Sequence, residues 1–279
     1  MIFLLSAVIW AFLHLNGNVK FLSGLLLIGI VSFIDDVISL SARSRFIAQT
    51  IAVVVLCSSL GILSNNSITI AVAIILIMGW INAFNFMDGI NGITALYTFS
   101  MLVPMIYAIN FYELPYSTLI VFILLSLSVF MFLNLRVKAL AFSGDVGSVV
   151  LAYIIAYLIV SLVIESQHIE FILFGSVYGV DSVITIIRRL FKKENIFVAH
   201  RMHLYQLLSN ELEWHFLSVS LVYSFTQMVV NSILLYFIIY QPSKAGYVGI
   251  SEILILLIMY LIGLFLVQKR RDTILQRNS

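Results

Sequence analysis

The stretch that decides the fold begins at Trp80, ends at Gly92 and reads WINAFNFMDGING. An apolar run from about residue 67 leads into it, and another apolar run begins at Ile93. Three Asn, one Asp and two Gly therefore stand between two segments suited to a membrane. Polar groups left unpaired near hydrocarbon cost several kcal/mol each, and Gly lets the backbone approach a ligand closely. The stretch therefore predicts a site for a polar ligand or a metal.

The composition is that of a polytopic membrane protein. Of the 279 residues, 62% are hydrophobic and only 10% are charged, whereas soluble domains carry about 25% charged residues. Ten apolar runs are long enough, or nearly long enough, to cross a bilayer as helices. The runs lie at about 1–15, 20–34, 46–63, 67–84, 93–110, 116–133, 146–164, 170–187, 216–240 and 247–267. We therefore predict an all-α transmembrane helical bundle of about ten spans, which forms a single integral membrane domain over residues 1–279.

The distribution of basic residues predicts which loops face the cytoplasm. With ten spans, alternate loops share a side of the membrane, and 13 of the 15 Lys and Arg residues fall on one side. Only Lys20 and Lys244 fall on the other side. Because cytoplasmic loops are rich in Lys and Arg, the more basic side is predicted to be cytoplasmic, and both termini lie on it.

Four polar clusters fall on this same predicted face. They are Asp35-Asp36, the stretch quoted above, Ser143–Ser148 (SGDVGS) and His200–His203 (HRMH). Carboxylate and amide oxygens are hard ligands that suit Mg²⁺, whereas Arg beside His suits an anionic group such as a diphosphate. A metal and a cation acting on one phosphate are typical of phosphoryl transfer. The position at a membrane face indicates that one substrate is a lipid.

Each cluster taken alone also has a structural interpretation. Asp35-Asp36 is compatible with a solvated helix end, Asp145 with the N-cap of the seventh span, and His200–His203 with a hydrated basic loop. Asp181 lies within a span, where a carboxylate is by default a functional residue, and we interpret it as a partner of the site residues. The placement of all four clusters on one face favours the functional interpretation.

The four clusters, in this order, resemble the motifs of the polyprenyl-phosphate N-acetylhexosamine-1-phosphate transferases of glycosyltransferase family 4. The stretch Asn195–Gln206, NIFVAHRMHLYQ, is most similar to the branch that initiates O-antigen synthesis. The resemblance implies an Mg²⁺-dependent enzyme of the bacterial inner membrane, with its active site at the cytoplasmic face and a role in lipopolysaccharide and cell-wall biogenesis. It would transfer a sugar phosphate from a UDP-N-acetylhexosamine to undecaprenyl phosphate and release UMP.

The resemblance also implies roles for individual residues. Asp35 and Asp36 would be the catalytic carboxylates near the lipid phosphate, and Asn85 and Asp145 would bind Mg²⁺, for which Mn²⁺ can substitute. The other implied site residues are Asp88 and Asn91 for the nucleotide and His200, Arg201 and His203 for the diphosphate. The expected partners are the two substrates and membrane lipids. No nucleic acid is expected, and homodimer formation stays open.

Two alternatives to an active transferase stay open at this point. Members of the family carry a further span and a basic, Gly-rich cytoplasmic loop before the span that here begins at Met1, so an inactive truncated homologue is one alternative. About ten spans and an intramembrane Asp181 would also suit a transporter. A transporter would have paired inverted repeats and polar residues near the middle of the bilayer.

Overall fold

The computed structural model describes residues 1–195 and 201–278, and within them every regular element is a helix. The α-helices are α1 Ile2–Leu13, α2 Leu15–Ile38, α3 Ala42–Ser59, α4 Ser67–Phe86, α5 Ile93–Phe111, α6 Ser117–Asn134, α7 Gly144–Ser166, α8 Ser176–Phe191, α9 Leu204–Asn210, α10 Phe216–Tyr240 and α11 Pro242–Asn278. Two 3₁₀-helices, Ile62–Ser64 and Ile169–Gly175, precede α4 and α8. The predicted apolar runs lie on these helices, so the predicted all-α fold class is confirmed.

Fewer helices meet the length and composition expected of a span than there are apolar runs. Within the described residues, eight helical segments are long and apolar enough to cross a membrane. The first run forms α1, whose 12 residues extend about 18 Å, short of a hydrocarbon core about 30 Å thick. The third run forms α3, which begins with Arg43 and Arg45 in its first turn and is therefore less apolar. Length and composition thus support eight of the ten predicted spans.

Helix α7 is the buried centre of the bundle. Sixteen of its 23 residues are buried, as expected for a helix that is apolar on every side. Helices α1, α2, α4 and α5 pack against it. The indole nitrogen of Trp80 in α4 donates a hydrogen bond to the Ala152 carbonyl of α7 at 2.9 Å. Because several helices pack around α7, the position of its first turn at the membrane face is well fixed.

One helix begins inside an apolar span. The 3₁₀-helix Ile169–Gly175 ends where α8 starts, so the first amides of α8 lack partners within their own helix. Gln227 of α10 accepts a hydrogen bond from the Val177 amide at 2.9 Å, and the Tyr97 hydroxyl of α5 accepts one from the Tyr178 amide at 3.1 Å. The Tyr97 hydroxyl in turn donates to Gln227. Side chains of two neighbouring helices thereby satisfy backbone groups that lipid could not.

Replacing Gln227 with Leu is predicted to destabilise the bundle. The substitution leaves the Val177 amide and the Tyr97 hydroxyl without this acceptor, at about 1–3 kcal/mol for each buried group. The melting temperature of the detergent-solubilised protein should therefore fall by several degrees. Phe225→Leu, at a position of α10 that is 71% exposed, is the matched control and should melt like the wild type. Equal melting temperatures for the two variants would contradict this account.

Candidate active site

A cavity of about 320 Å³ opens where the ends of four helices meet. Its walls come from the end of α2, the α4–α5 connection, the end of α6 and the start of α7. Five of the predicted site residues line it: Asp36, Asn85, Asp88, Asn91 and Asp145. Three of the four polar clusters therefore converge, although 109 positions separate Asp36 from Asp145 in the sequence.

Asp36 joins the end of α2 to the start of α7. Its carboxylate oxygens accept hydrogen bonds from the backbone amides of Asp145 at 2.9 Å and Val146 at 3.1 Å. These amides belong to the first turn of α7, where no helical carbonyl can reach them, and the helix dipole also favours a carboxylate there. Asp36 therefore caps α7 from another helix. The alternative in which Asp145 is the N-cap is wrong, because Asp145 lies inside the first turn.

Gly144 is required by this capping contact. Its φ of +62° lies in the left-handed region, which residues with a side chain rarely adopt. A Cβ atom at this position would lie 2.6 Å from the Asp36 carboxylate. Both the backbone conformation and the space beside Asp36 therefore favour glycine at position 144.

Arg45 of α3 brings the carboxylates of Asp35 and Asp145 together. Its Nη1 atom lies 3.1 Å from Asp35 Oδ2 and 3.8 Å from Asp145 Oδ2. The other oxygen of Asp35 accepts a hydrogen bond from the Leu40 amide at 2.6 Å. Asp35 is only 8% exposed, so the interpretation of this residue as part of a solvated helix end is wrong.

Asn85 lies in the last turn of α4, beside the same carboxylates. Its Oδ1 atom accepts a hydrogen bond from the Ser148 hydroxyl of α7 at 2.6 Å, and its side chain also bonds to the Asp145 carboxyl. One turn earlier, Asn82 donates to Gln49 of α3 at 3.2 Å. These contacts fix the end of α4 against α3 and α7.

Asp88 ties the α4–α5 connection to the residue before α7. One carboxylate oxygen accepts a hydrogen bond from Thr94 Oγ1 at 2.5 Å, and the other accepts one from the Ser143 hydroxyl. Removal from water raises the pKa of the Asp88 carboxyl, and the negative charge of Asp36 raises it further. Asp88 thus lines the cavity while both of its oxygens hold the wall in place.

Two Asn side chains close the remaining wall. Asn134 accepts a hydrogen bond from the Gly92 amide at 2.6 Å and donates one to the Ala141 carbonyl at 2.8 Å. Asn91 donates to the Arg136 carbonyl at 2.9 Å. Asn134 was not predicted as a site residue. Its only signal in the sequence is an amide at the end of an apolar run.

The described residues of the fourth polar cluster, 201–203, lie beside the cavity and not in its lining. His200 lies outside the described residues. Arg201 is exposed and acts electrostatically on the Tyr205 hydroxyl. His203 is only 2% exposed, and its Nδ1 atom lies 3.2 Å from Asp181 Oδ1. Asp181 is thereby a partner of this cluster, whereas the roles of Arg201 and His203 toward a diphosphate stay predictions.

Comparison with known protein families covers the segment that builds the cavity. The family model of glycosyl transferase family 4 matches residues 18–163, just over half of the 279-residue chain. The chain belongs to glycosyl transferase family 4. Among the described residues, all those that line the cavity lie in the matched segment. No curated protein gives a significant match to the chain.

The donor set of this family 4 site suits Mg²⁺. The carboxylates of Asp35 and Asp145 already converge on one cation, Arg45, and the amide side chain of Asn85 lies beside Asp145. Mg²⁺ usually takes one or two protein carboxylates and completes its shell with water and substrate phosphates. In the part of the chain that the structure describes, no three His, Cys, Asp or Glu side chains form a metal site. Two carboxylates are enough for such an ion when substrate phosphates and water complete its shell.

Arg45, like Asn134, was not predicted as a site residue. In the sequence, Arg45 was interpreted only as one of the basic residues that predict the orientation of the protein in the membrane. The available signal was its position on the predicted face, ten residues after Asp35. An isolated Arg in that setting is common, so only the tertiary contact distinguishes it.

Gly144→Ala is predicted to be more disruptive than Gly79→Ala. The first substitution puts a side chain at positive φ and against Asp36, at a cost of about 1–3 kcal/mol. Gly79 lies in α4 with open space around its Cβ position, and Ala is the better helix former. Thermal melting in detergent should therefore fall for Gly144→Ala and stay level or rise for Gly79→Ala. If the Gly144→Ala protein is as stable as the Gly79→Ala control, the capping contact with Asp36 does not require glycine at position 144.

Asp88 is predicted to make stability depend on pH. Because its pKa is higher in the folded than in the unfolded chain, the folded protein binds more protons between the two values. Stability should therefore fall as pH rises from about 4 through the folded-state pKa. Asp88→Asn removes this titration, so its melting temperature should fall less over that range. Asp272→Asn, at an exposed carboxylate of α11, should keep the wild-type slope, and a wild-type slope for Asp88→Asn as well would refute the prediction.

Proposed function

We propose that this family 4 protein transfers N-acetylhexosamine-1-phosphate from a UDP-sugar to undecaprenyl phosphate and releases UMP. Family membership supports a polyprenyl-phosphate sugar-1-phosphate transferase in general. The observation that carries the finer proposal is the convergence of Asp36, Asn85, Asp88 and Asp145 on one cavity at the helix ends. A polar, carboxylate-rich cavity at the edge of a membrane suits a reaction between a water-soluble diphosphate and a lipid phosphate.

In the proposed reaction an oxygen of the lipid phosphate attacks the β-phosphorus of the UDP-sugar. A new P–O bond joins the lipid phosphate to the sugar phosphate, the bond from the β-phosphorus to the bridging oxygen breaks, and UMP leaves with that oxygen. The second pKa of a phosphate monoester is about 6, so the nucleophile is mostly deprotonated at neutral pH. Asp35 and Asp36 are therefore proposed to position the reacting groups, and a general base is not essential.

Stabilisation of the diphosphate charge is the main catalytic task. Arg45 lies between Asp35 and Asp145 and supplies one positive charge at the cavity. Mg²⁺, or Mn²⁺ in its place, would be held by Asp145 and Asn85 and would neutralise phosphate charge when bound. Arg201 is proposed to contact the diphosphate from the segment before α9, together with His200 and with His203, whose ring rests on Asp181.

The nucleotide is proposed to lie along the α4–α5 connection. Asp88 and Asn91 line this side of the cavity, and the Phe142 ring, 74% exposed, stands at its mouth. An exposed aromatic face beside a polar cavity offers a stacking surface to a base. Asp88 and Asn91 contribute to this subsite through the shape of the wall as well as through their polar atoms.

The proposed location is the cytoplasmic side of the bacterial inner membrane. The helix ends that form the cavity are flanked by basic residues, among them Arg43, Arg136 and Lys138. Similarity of the segment before α9 to O-antigen-initiating enzymes supports a role in lipopolysaccharide-type polysaccharide synthesis. Asp181, which had suggested a transporter, instead accepts hydrogen bonds from the start of α9.

The proposed function is tested by UMP release from purified protein. The assay contains Mg²⁺, undecaprenyl phosphate and a panel of UDP-N-acetylhexosamines, with omission of the lipid as the blank. Lipid-dependent UMP release with at least one sugar is expected. A folded, monodisperse protein that releases no UMP with any sugar would favour an inactive homologue.

Asp145→Asn is predicted to lower the rate of UMP release by about 10²-fold or more, because it removes the carboxylate proposed to hold the Mg²⁺ that would neutralise phosphate charge. The protein should still insert and elute as the wild type, since the first amides of α7 bond to Asp36. Glu113→Gln, at an exposed carboxylate between α5 and α6, is the control and should keep full activity. A near-wild-type rate for Asp145→Asn would remove this residue from the proposed metal site.

A further inference from the structure

Helix α9 lies outside the family match, yet it supports a wall of the cavity. The Tyr205 hydroxyl donates a hydrogen bond to the Phe86 carbonyl, at the last residue of α4, at 3.0 Å. Gly89, which lines the cavity, lies so close that a Cβ atom there would be 2.1 Å from this hydroxyl. Because Tyr205 is fully buried, its position fixes the start of the α4–α5 connection.

The first turn of α9 is held by α8. The Asp181 carboxylate accepts hydrogen bonds from the Leu204 amide at 3.0 Å and from the Tyr223 hydroxyl at 2.7 Å. A helix of seven residues is too short to be stable alone. Its orientation therefore depends on contacts at both of its ends.

The other end of α9 is held by α11. Arg271 Nε and Nη2 lie 3.2 and 2.9 Å from the two carboxylate oxygens of Glu211, the C-cap residue of α9. This two-point geometry fixes direction as well as distance. The side chain of Leu204 also rests against Gly263 of α11. Helix α11 therefore contacts both the first residue and the cap residue of α9.

The contact with Glu211 lies on a part of α11 that extends past the membrane. Helix α11 has 37 residues and is about 55 Å long, whereas a hydrocarbon core is about 30 Å thick. Its last turns carry Lys269, Arg270 and Arg271, which are all exposed. This end of α11 therefore stands in water, on the side of the membrane where α9 lies.

We propose that the projecting end of α11 is a positioning element of the active site. Arg271 sets the orientation of α9 through Glu211, and Tyr205 transmits that orientation to the α4–α5 wall of the cavity. The side chains of Arg271 and Glu211 are 43% and 36% exposed, and exposed ion pairs are individually weak. The pair therefore acts on the geometry of the site and leaves the fold intact.

Hydrogen exchange and kinetics of the full-length Arg271→Ala protein test this proposal. Amides of residues 201–211 and 86–92 should exchange about three- to tenfold faster than in the wild type. The KM for the UDP-sugar should rise by a similar factor, with kcat within about twofold. Lys269→Ala is the matched control, because it removes the same charge from an exposed position that forms no ion pair among the described residues. It should match the wild type in both measurements.

The exchanged pair Glu211→Arg/Arg271→Glu decides whether the contact itself matters. It should return both the exchange rates and KM to within about twofold of the wild type. Wild-type exchange in Arg271→Ala, or no recovery in the exchanged pair, would overturn the proposal. Arg271→Gln serves if the Ala variant does not fold. The kinetic measurement rests on the proposed function, whereas the exchange measurement does not. A wild-type protein that releases no UMP would therefore refute the proposed function, and the exchange rates would still test the positioning role of α11.

Discussion

Asp36 supplies, from the end of one helix, the hydrogen-bond acceptors that the first turn of α7 lacks. The amides of Asp145 and Val146 bond to its two oxygens, and a side-chain cap of this kind stabilises a helix by about 0.5–2 kcal/mol. The contact requires Gly144 and holds Asp145 near Asp35 and Arg45. Because α7 is the buried centre of the bundle, this one contact connects the cavity to the core.

The same requirement explains polar residues elsewhere in the apolar helices. The start of α8 bonds to Gln227 and Tyr97, and the start of α9 bonds to Asp181. Helix α8 begins without a side-chain cap of its own, and α9 begins with a capping box of His203 and Gln206. At both starts a neighbouring helix provides a further acceptor for the first amides. Polar side chains within the bundle thus complete backbone hydrogen bonding, whereas those at its face also border the cavity.

The sequence predicted the fold class and much of the cavity, for definite physical reasons. Apolar runs identify helices in a membrane, and helix ends on one face bring Asp36, Asn85, Asp88 and Asp145 within reach of each other. The capping role of Asp36 was not predictable, because it depends on the packing of α2 beside α7.

Other features escaped prediction because they depend on local geometry or on distant partners. The break before α8 lies in a continuous apolar run, whose composition does not distinguish a 3₁₀-helix from an α-helix. The role of Arg45 depends on the approach of α3 to α7. The support of the cavity by Tyr205 depends on α9, which the sequence marks only as part of a polar segment.

Crystals grown with Mn²⁺ and UDP test the central claim most directly, through the anomalous scattering of the metal. The account predicts one strong peak beside Asp145 and Asn85, with the diphosphate in the cavity and the Asp36 carboxylate within hydrogen-bond distance of the Asp145 and Val146 amides. A metal peak and a nucleotide outside this cavity, or an Asp36 carboxylate separated from the start of α7, would contradict it.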